Sequence, residues 1–271
     1  MDWRSWPATA RVAHLSLRGR VEAERWTEGE DLAVVQPLVD LLRRPGGARE
    51  RQLAFGEGFT VVDRDRAHAF GFAGKDGYCG WLPQAALGLV PAATHWVASV
   101  GTHLYGDPRV QAAQFALPMG ARVHVSGHEG RFARVDGGYV PGAHLRELGD
   151  WLSDPEAVAE GFLGTPYLWG GNSRDGMDCS GLVQGVFAAC GVGLPGDADL
   201  QAAAGVVVTG DLRRGDLVFW AGHVAIVVDE ARLIHANGFT MSVAYEGTLD
   251  CIARIAKAEG PVTARRRVQV T

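Results

Sequence analysis

The texture of the sequence changes near residue 150, and that change limits how the chain can fold. Up to about Gly149, short alternating apolar and polar segments are punctuated by Gly, Pro and Asp, the pattern of small all-β units. A weak internal repeat runs through this half. Leu41-Leu42-Arg43-Arg44-Pro45 leads to Gln52 through Val62 and then to Asp76-Gly77-Tyr78-Cys79-Gly80-Trp81-Leu82-Pro83. His103 through Pro108 leads in the same order to Phe115 through Val125 and then to Asp136-Gly137-Gly138-Tyr139-Val140-Pro141. Two small barrels are expected, over residues 28–91 and 92–149, with one irregular β-domain as the alternative reading. Residues 1–27 are expected to pack as a partly helical arm.

From about Trp151 the pattern differs. Asp154-Pro155 offers an N-cap and a first-turn proline, which predicts a helix over 154–163. Leu182, Val183, Val186, Phe187 and Cys190 form an apolar stripe at helical spacing, which predicts a second helix over 180–190. Strands are expected at 216–220, 223–228 and 232–236. Helices followed by an antiparallel sheet make residues 150–271 an α+β domain.

The 271 residues carry 26 Lys+Arg against 31 Asp+Glu, a net charge of −5, which argues against nucleic-acid binding through a broad basic surface. No apolar run approaches a membrane span, and no basic stretch followed by an apolar run opens the chain. A cytoplasmic, monomeric protein with neither nucleic-acid nor membrane partner is expected. Arg265-Arg266-Arg267 is read as a solvated terminal patch.

Of the four cysteines, Cys179 stands out because it directly precedes the predicted helix at 180–190. A helix start offers a thiol the positive end of the macrodipole and unpaired N–H groups, both of which favour the thiolate. Cys190 lies on the apolar stripe, Cys251 in a helical Ala/Ile context and Cys79 in a barrel strand, so these three are expected to be unreactive. His223 and His235 sit in successive strands. If residue 227 pairs with 231, residue 223 falls opposite 235, and an odd loop of three or five residues around Asp229 puts both imidazoles on one face. That yields a nucleophile, a base and a second histidine to orient the base. A zinc site built from Cys179, His223 and His235 is the other reading, although the set lacks the close ligand pair of most metal motifs.

Five blocks then carry a resemblance: Gly164-Thr165-Pro166-Tyr167-Leu168-Trp169-Gly170-Gly171, Asp178-Cys179-Ser180-Gly181-Leu182-Val183, Leu212 through Trp220, Gly222-His223-Val224-Ala225-Ile226-Val227 and Ile234-His235-Ala236. In order and spacing they are similar to the NlpC/p60 family of cysteine peptidases, and the N-terminal half resembles bacterial SH3-like domains found ahead of such peptidases. The resemblance implies two SH3-like barrels followed by a papain-like domain. It implies cleavage of the bond between γ-D-glutamate and a diamino acid, diaminopimelate or lysine, in peptidoglycan stem peptides, with no cofactor or metal.

By position, the resemblance makes Cys179 the nucleophile, His223 the base and His235 its orienting partner. Tyr167, twelve residues before the cysteine, looks like the tyrosine that helps stabilise the oxyanion, or an aromatic of the cleft wall. Asp178 and Ser180 resemble residues that hold the free L-alanine amine and the substrate backbone. Tyr78 matches the tyrosine of the first barrel in relatives where that barrel imposes a free N-terminal L-Ala, and Glu50 is the candidate acid for the amine, with Glu57 as its competitor. Gly196 and Ala198 depart from the family, in which Arg and Ser are common. A same-scaffold amidase or acyltransferase, and a non-catalytic peptidoglycan-binding protein, are the rival functions.

Overall fold

A computed structural model describes residues 2–270 and divides the chain into two compact units, Met1–Leu148 and Gly149–Thr271. The longest helices have 11 residues, and no helix among the described residues is long and apolar enough to cross a membrane.

In the N-terminal unit the arm is mostly extended, not helical. Two 3-10 turns, Trp3–Ser5 and Leu15–Leu17, flank Val12–His14, which pairs in parallel with Arg25–Thr27. A seven-stranded sheet follows, in the order Arg49–Ala54, Leu38–Leu42, Cys79–Pro83, His68–Ala73, Gly58–Asp65, Glu30–Val34 and Leu87–Gly88. Its core gathers Val34, Leu41, Leu53, Phe59, Val61 and Leu82, which the period-2 alternation of the strands turns to one side. A five-stranded sheet comes next, in the order Ala113–Pro118, Gly101–Tyr105, Gly138–Pro141, Phe132–Val135 and Val125–Glu129.

The weak repeat in sequence is a repeat in topology. In each copy a hairpin strand pairs with the glycine-aromatic strand, through Leu42 with Trp81 in the first and Tyr105 with Tyr139 in the second. A 3-10 turn and a short strand follow both times, Gln84–Ala86 with Leu87–Gly88, then Gly142–His144 with Leu145–Glu147. The two copies share their strand order within the one compact unit.

The C-terminal unit wraps four helices about a six-stranded antiparallel sheet, in the order Val206–Val207, Ala264–Arg267, Asp216–Trp220, His223–Val227, Arg232–Asn237 and Ser242–Gly247. Helix α1, Pro155–Glu160, starts where Asp154 accepts the Ala157 N–H and stops at Gly161, so it is shorter than predicted. Helix α2 spans Cys179–Ala189, and its Leu182, Val183, Val186 and Phe187 are at most 1% exposed. Helix α3, Ala198–Gln201, is short, and α4, Thr248–Ala258, packs Cys251 and Ile255 against Val218, Ala225, Val227 and Leu233.

The last strand corrects the reading of Arg265–Arg267 as a solvated patch. It lies inside the sheet, beside the strand Asp216–Trp220. Arg267 reaches the fully buried Asp216 through two bonds of 2.7 and 2.8 Å, and Arg266 donates to the Ala202 carbonyl. A buried carboxylate requires such a partner, and terminal charges that supply it are structural.

Candidate active site

The start of α2 is built by its own motif. Asp178 is the N-cap: one carboxylate oxygen accepts the Gly181 N–H at 2.6 Å and the Ser180 hydroxyl at 3.3 Å, and the other accepts the Gly170 N–H at 2.9 Å. Gly181 has a steric reason. A Cβ there would sit 2.4 Å from the Gly171 carbonyl oxygen, so the loop at 171–172 crosses the helix only over a glycine. These constraints fix Cys179 as the first helical residue. Its buried Sγ donates to the Gly222 carbonyl at 3.9 Å.

Gly222 closes the two-residue loop between Trp220 and His223, which pair across the hairpin, and its φ of +74° suits the left-handed region open to glycine. The thiol is thereby placed against the residue that precedes His223.

His223 and His235 do meet, by a register two residues away from the pairing of 227 with 231. Ile226 pairs with Ile234 and Val227 with Leu233, so His235 stands across from Ala225. The cause is the turn. Asp229 accepts the Ala231 and Arg232 N–H groups and pairs with the Arg232 side chain, which leaves five residues between Val227 and its partner Leu233, the longer of the two expected lengths. A shift of two preserves the face, so the histidines are diagonal neighbours instead of directly opposed. Their rings lie 5.1 Å apart at 62°, with His223 Nε2 2.8 Å from His235 Nδ1.

Burial pushes His223 down to about 3, helped by the charge-disfavouring neighbours His235 and Arg254, and pushes His235 down to about 4. Both imidazoles are therefore neutral at pH 7, and a thiolate next to His223 would raise its affinity for a proton. With His223 Nε2 committed to His235, Nδ1 is the nitrogen left for the cysteine.

The row of polar groups continues past the expected set. On the next strand Glu246 lies diagonally from His235, whose main-chain partner is Ala244. His235 Nε2 is 3.2 Å from Glu246 Oε2, within ion-pair distance, and no aligned hydrogen bond reaches this buried nitrogen. Arg254 of α4 grips both Glu246 oxygens at 2.8 and 2.7 Å and lies 4.5 Å from the centre of the Phe239 ring. Neither Glu246 nor Arg254 was visible as a site residue in sequence. Their signal, a glutamate in an otherwise small and apolar strand and an arginine between Ile252 and Ile255, acquires meaning only once the sheet order is known.

The zinc alternative is corrected here. Among the described residues, the group of possible ligands within 4.8 Å of one another is His235, Glu246 and Cys251, not Cys179 with the two histidines. Arg254 occupies the space beside Glu246 and brings a guanidinium nitrogen to 4.0 Å from Cys251 Sγ, a position hostile to a second cation.

Tyr167 is half-buried, its N–H bonded to the Met241 carbonyl and its backbone bridged to Met177, two residues before the cysteine. Ser180 is buried in the first turn of α2, and its carbonyl accepts from Gln201, which also holds the Pro195 carbonyl. Through that contact the departing stretch with Gly196 and Ala198 is tied to the helix start.

Tyr78 and Glu50 belong to the N-terminal unit. Tyr78 is 4% exposed, edge-on to Trp3 at 5.8 Å, with its N–H bonded to Asp76. Glu50 lies 4.0 Å from Arg43, whereas Glu57 is taken up by the Ala54 N–H and Lys75. The other thiols are core groups: burial pushes Cys79 and Cys251 up to about 12 and Cys190 up to about 11.

With this geometry in place, residues 164–252 match the NlpC/P60 family and residues 41–87 the bacterial dipeptidyl-peptidase SH3 domain. A γ-D-glutamyl-L-lysine dipeptidyl-peptidase of Bacillus subtilis is 43% identical over 84 residues, covering 28% of each chain. One of the same name from Bacillus cereus is 37% identical over 91 residues, covering 30% of this chain and 27% of that one. The matches thus span under a third of those relatives. The crystal structure of an NlpC/P60 family protein from Bacillus cereus superposes with a TM-score of 0.77 at 20% identity, over 88% of this chain and 99% of that one, a likeness of fold. The chain therefore carries an NlpC/P60 domain, with Cys179, His223 and His235 at its candidate centre, behind a bacterial dipeptidyl-peptidase SH3 domain.

Proposed function

We propose that this protein is a cysteine peptidase that hydrolyses the bond between γ-D-glutamate and a diamino acid in peptidoglycan stem peptides. The observation that carries this reading is Cys179 at the start of α2, against the carbonyl that precedes His223, with His223 Nε2 2.8 Å from His235 Nδ1. The names of the Bacillus relatives supply the bond class.

His223 Nδ1 takes the Cys179 proton as sulfur attacks the γ-carbonyl carbon of D-glutamate. The positive end of α2 faces the developing oxyanion, and Tyr167 assists. The C–N bond breaks, His223 gives the proton to the leaving amine, and water then splits the thioester and returns a proton to the thiol. The rise in His223 basicity beside a thiolate makes the transfer feasible for a group that burial holds neutral.

The finer reading is a requirement for a free N-terminal L-Ala, involving Tyr78, Glu50, Asp178 and Ser180, by a monomer that recycles released wall peptides in the cytoplasm. None of the four cysteines is joined in a disulfide, which fits a reducing compartment. The test is mass spectrometry of L-Ala-γ-D-Glu-diaminopimelate and its lysine analogue after incubation with the protein. Release of L-Ala-D-Glu supports the reading. Cleavage at another bond favours an amidase, and binding without turnover favours a peptidoglycan-binding protein.

A further inference from the structure

Three adjacent strands of the C-terminal sheet each contribute one polar side chain to a diagonal row: His223, His235 and Glu246. Arg254 of α4 closes the row with a two-pronged grip on Glu246. The groups that face His235 are thus His223 and Glu246 from the strands on either side and Arg254 and Cys251 from the helix above.

We infer that Glu246, held by Arg254, is a positioning residue that sets the tautomers of both histidines and so keeps the lone pair of the base pointed at Cys179. The inference rests on the peptidase reading above, and its logic is one of proton counting. For His223 to accept the thiol proton at Nδ1, its own proton must sit on Nε2 and be donated to His235 Nδ1. His235 must then be a lone-pair acceptor at Nδ1, which places its single proton on Nε2. That buried N–H needs an acceptor, and the Glu246 carboxylate, 3.2 Å away at ion-pair distance though short of hydrogen-bond alignment, is the group in reach.

The opposite arrangement is penalised at two places. A proton on His235 Nδ1 would force the His223 proton onto Nδ1, converting the base into a donor toward the thiol. It would also leave the His235 Nε2 lone pair facing a carboxylate. Arg254 excludes a further escape: by holding Glu246 below the usual carboxylate range it prevents a protonated Glu246 from donating to His235 and reversing the row.

The test uses the full chain and two readouts, tripeptide hydrolysis and the pH dependence of Cys179 alkylation by iodoacetamide. Glu246→Gln is expected to lower kcat roughly tenfold with KM unchanged, a milder loss than the ~10⁴-fold known for removing the directly bonded orienting group of a triad. The alkylation profile is expected to move to higher pH, and Glu246→Asp to recover part of both changes. If circular dichroism shows Glu246→Gln unfolded, Arg254→Gln replaces it with the same expected directions. Wild-type kcat together with a wild-type alkylation profile in the folded variant would overturn the assignment. If the wild type does not cleave the peptide at all, the substrate reading fails while the alkylation shift still decides the role of Glu246.

Discussion

The two units use the same kinds of residue to different ends. In the N-terminal unit, acids and aromatics settle their needs locally: Glu57 takes the Ala54 N–H and Lys75, and Tyr78 packs on Trp3. In the C-terminal unit, polar groups are passed across the sheet from Cys179 to Arg254, each depending on the next. A side chain becomes a candidate for chemistry when its burial is compensated by a partner that is itself constrained, and a sheet face supplies such a sequence of partners at diagonal spacing.

The largest effect should come from breaking the row at its reactive end. Cys179→Ala and His223→Ala are each expected to reduce peptide turnover by at least roughly 10³-fold with circular dichroism unchanged, because members of such a unit fail together. Near-wild-type turnover in either would place the chemistry elsewhere.

Thiol reactivity next separates the start of α2 from the cores of both units. At pH 7.5 iodoacetamide is expected to modify Cys179 and spare Cys79, Cys190 and Cys251, which burial pushes up to about 12, 11 and 12. Peptide mapping reads this directly, and labelling of Cys79 at a comparable rate would erase the contrast.

The histidine pair also gives the C-terminal unit an acid weakness. Both groups accept a proton in the unfolded chain near 6.5 but in the folded one only near 3 and 4. Between those values the unfolded state holds more protons, so their contribution is fully present above about pH 6.5 and is lost as pH falls toward 4 and below. Thermal melts across pH 4–7 are expected to fall toward acid, and a His223→Gln, His235→Gln double variant to flatten that slope. An unchanged slope would show the imidazoles to be better solvated than their burial implies.

The smallest effects belong to the N-terminal acids. Glu57→Gln is expected to cost about 1 kcal/mol in urea unfolding and leave peptide kinetics alone, since it loses one ion pair and weakens one hydrogen bond. Glu50→Gln is expected to raise KM for the free-amine peptide a few-fold. Reversal of these two outcomes would exchange their roles.

Much of this was legible in the sequence, and what was not has identifiable causes. The stripe of α2, the N-cap Asp154 and the strands at 216–220 and 232–237 follow from local periodicity and capping. The histidine pairing was readable in its parity and in its register only to within a three- or five-residue loop; the Asp229 turn takes the longer, and period-2 pairing tolerates either. Arg267, Glu246 and Arg254 were missed for one common reason. Each acquires its partner only in the folded sheet and the helix over it: Arg267 finds Asp216 and Glu246 finds His235 across strands, and Arg254 of α4 reaches back to Glu246. The extended arm defeated a helical reading because its short apolar run, Val12–His14, pairs with residues 25–27.

The central claim, that the C-terminal centre of this chain cuts γ-D-glutamyl peptides, is tested most directly by one comparison. Wild type and Cys179→Ala are incubated with L-Ala-γ-D-Glu-diaminopimelate and with its N-acetylated form, and the products are weighed by mass spectrometry. L-Ala-D-Glu released by wild type only, and from the free-amine peptide only, is the predicted result. Release of the same dipeptide by Cys179→Ala, or no release by wild type from either peptide, would contradict it.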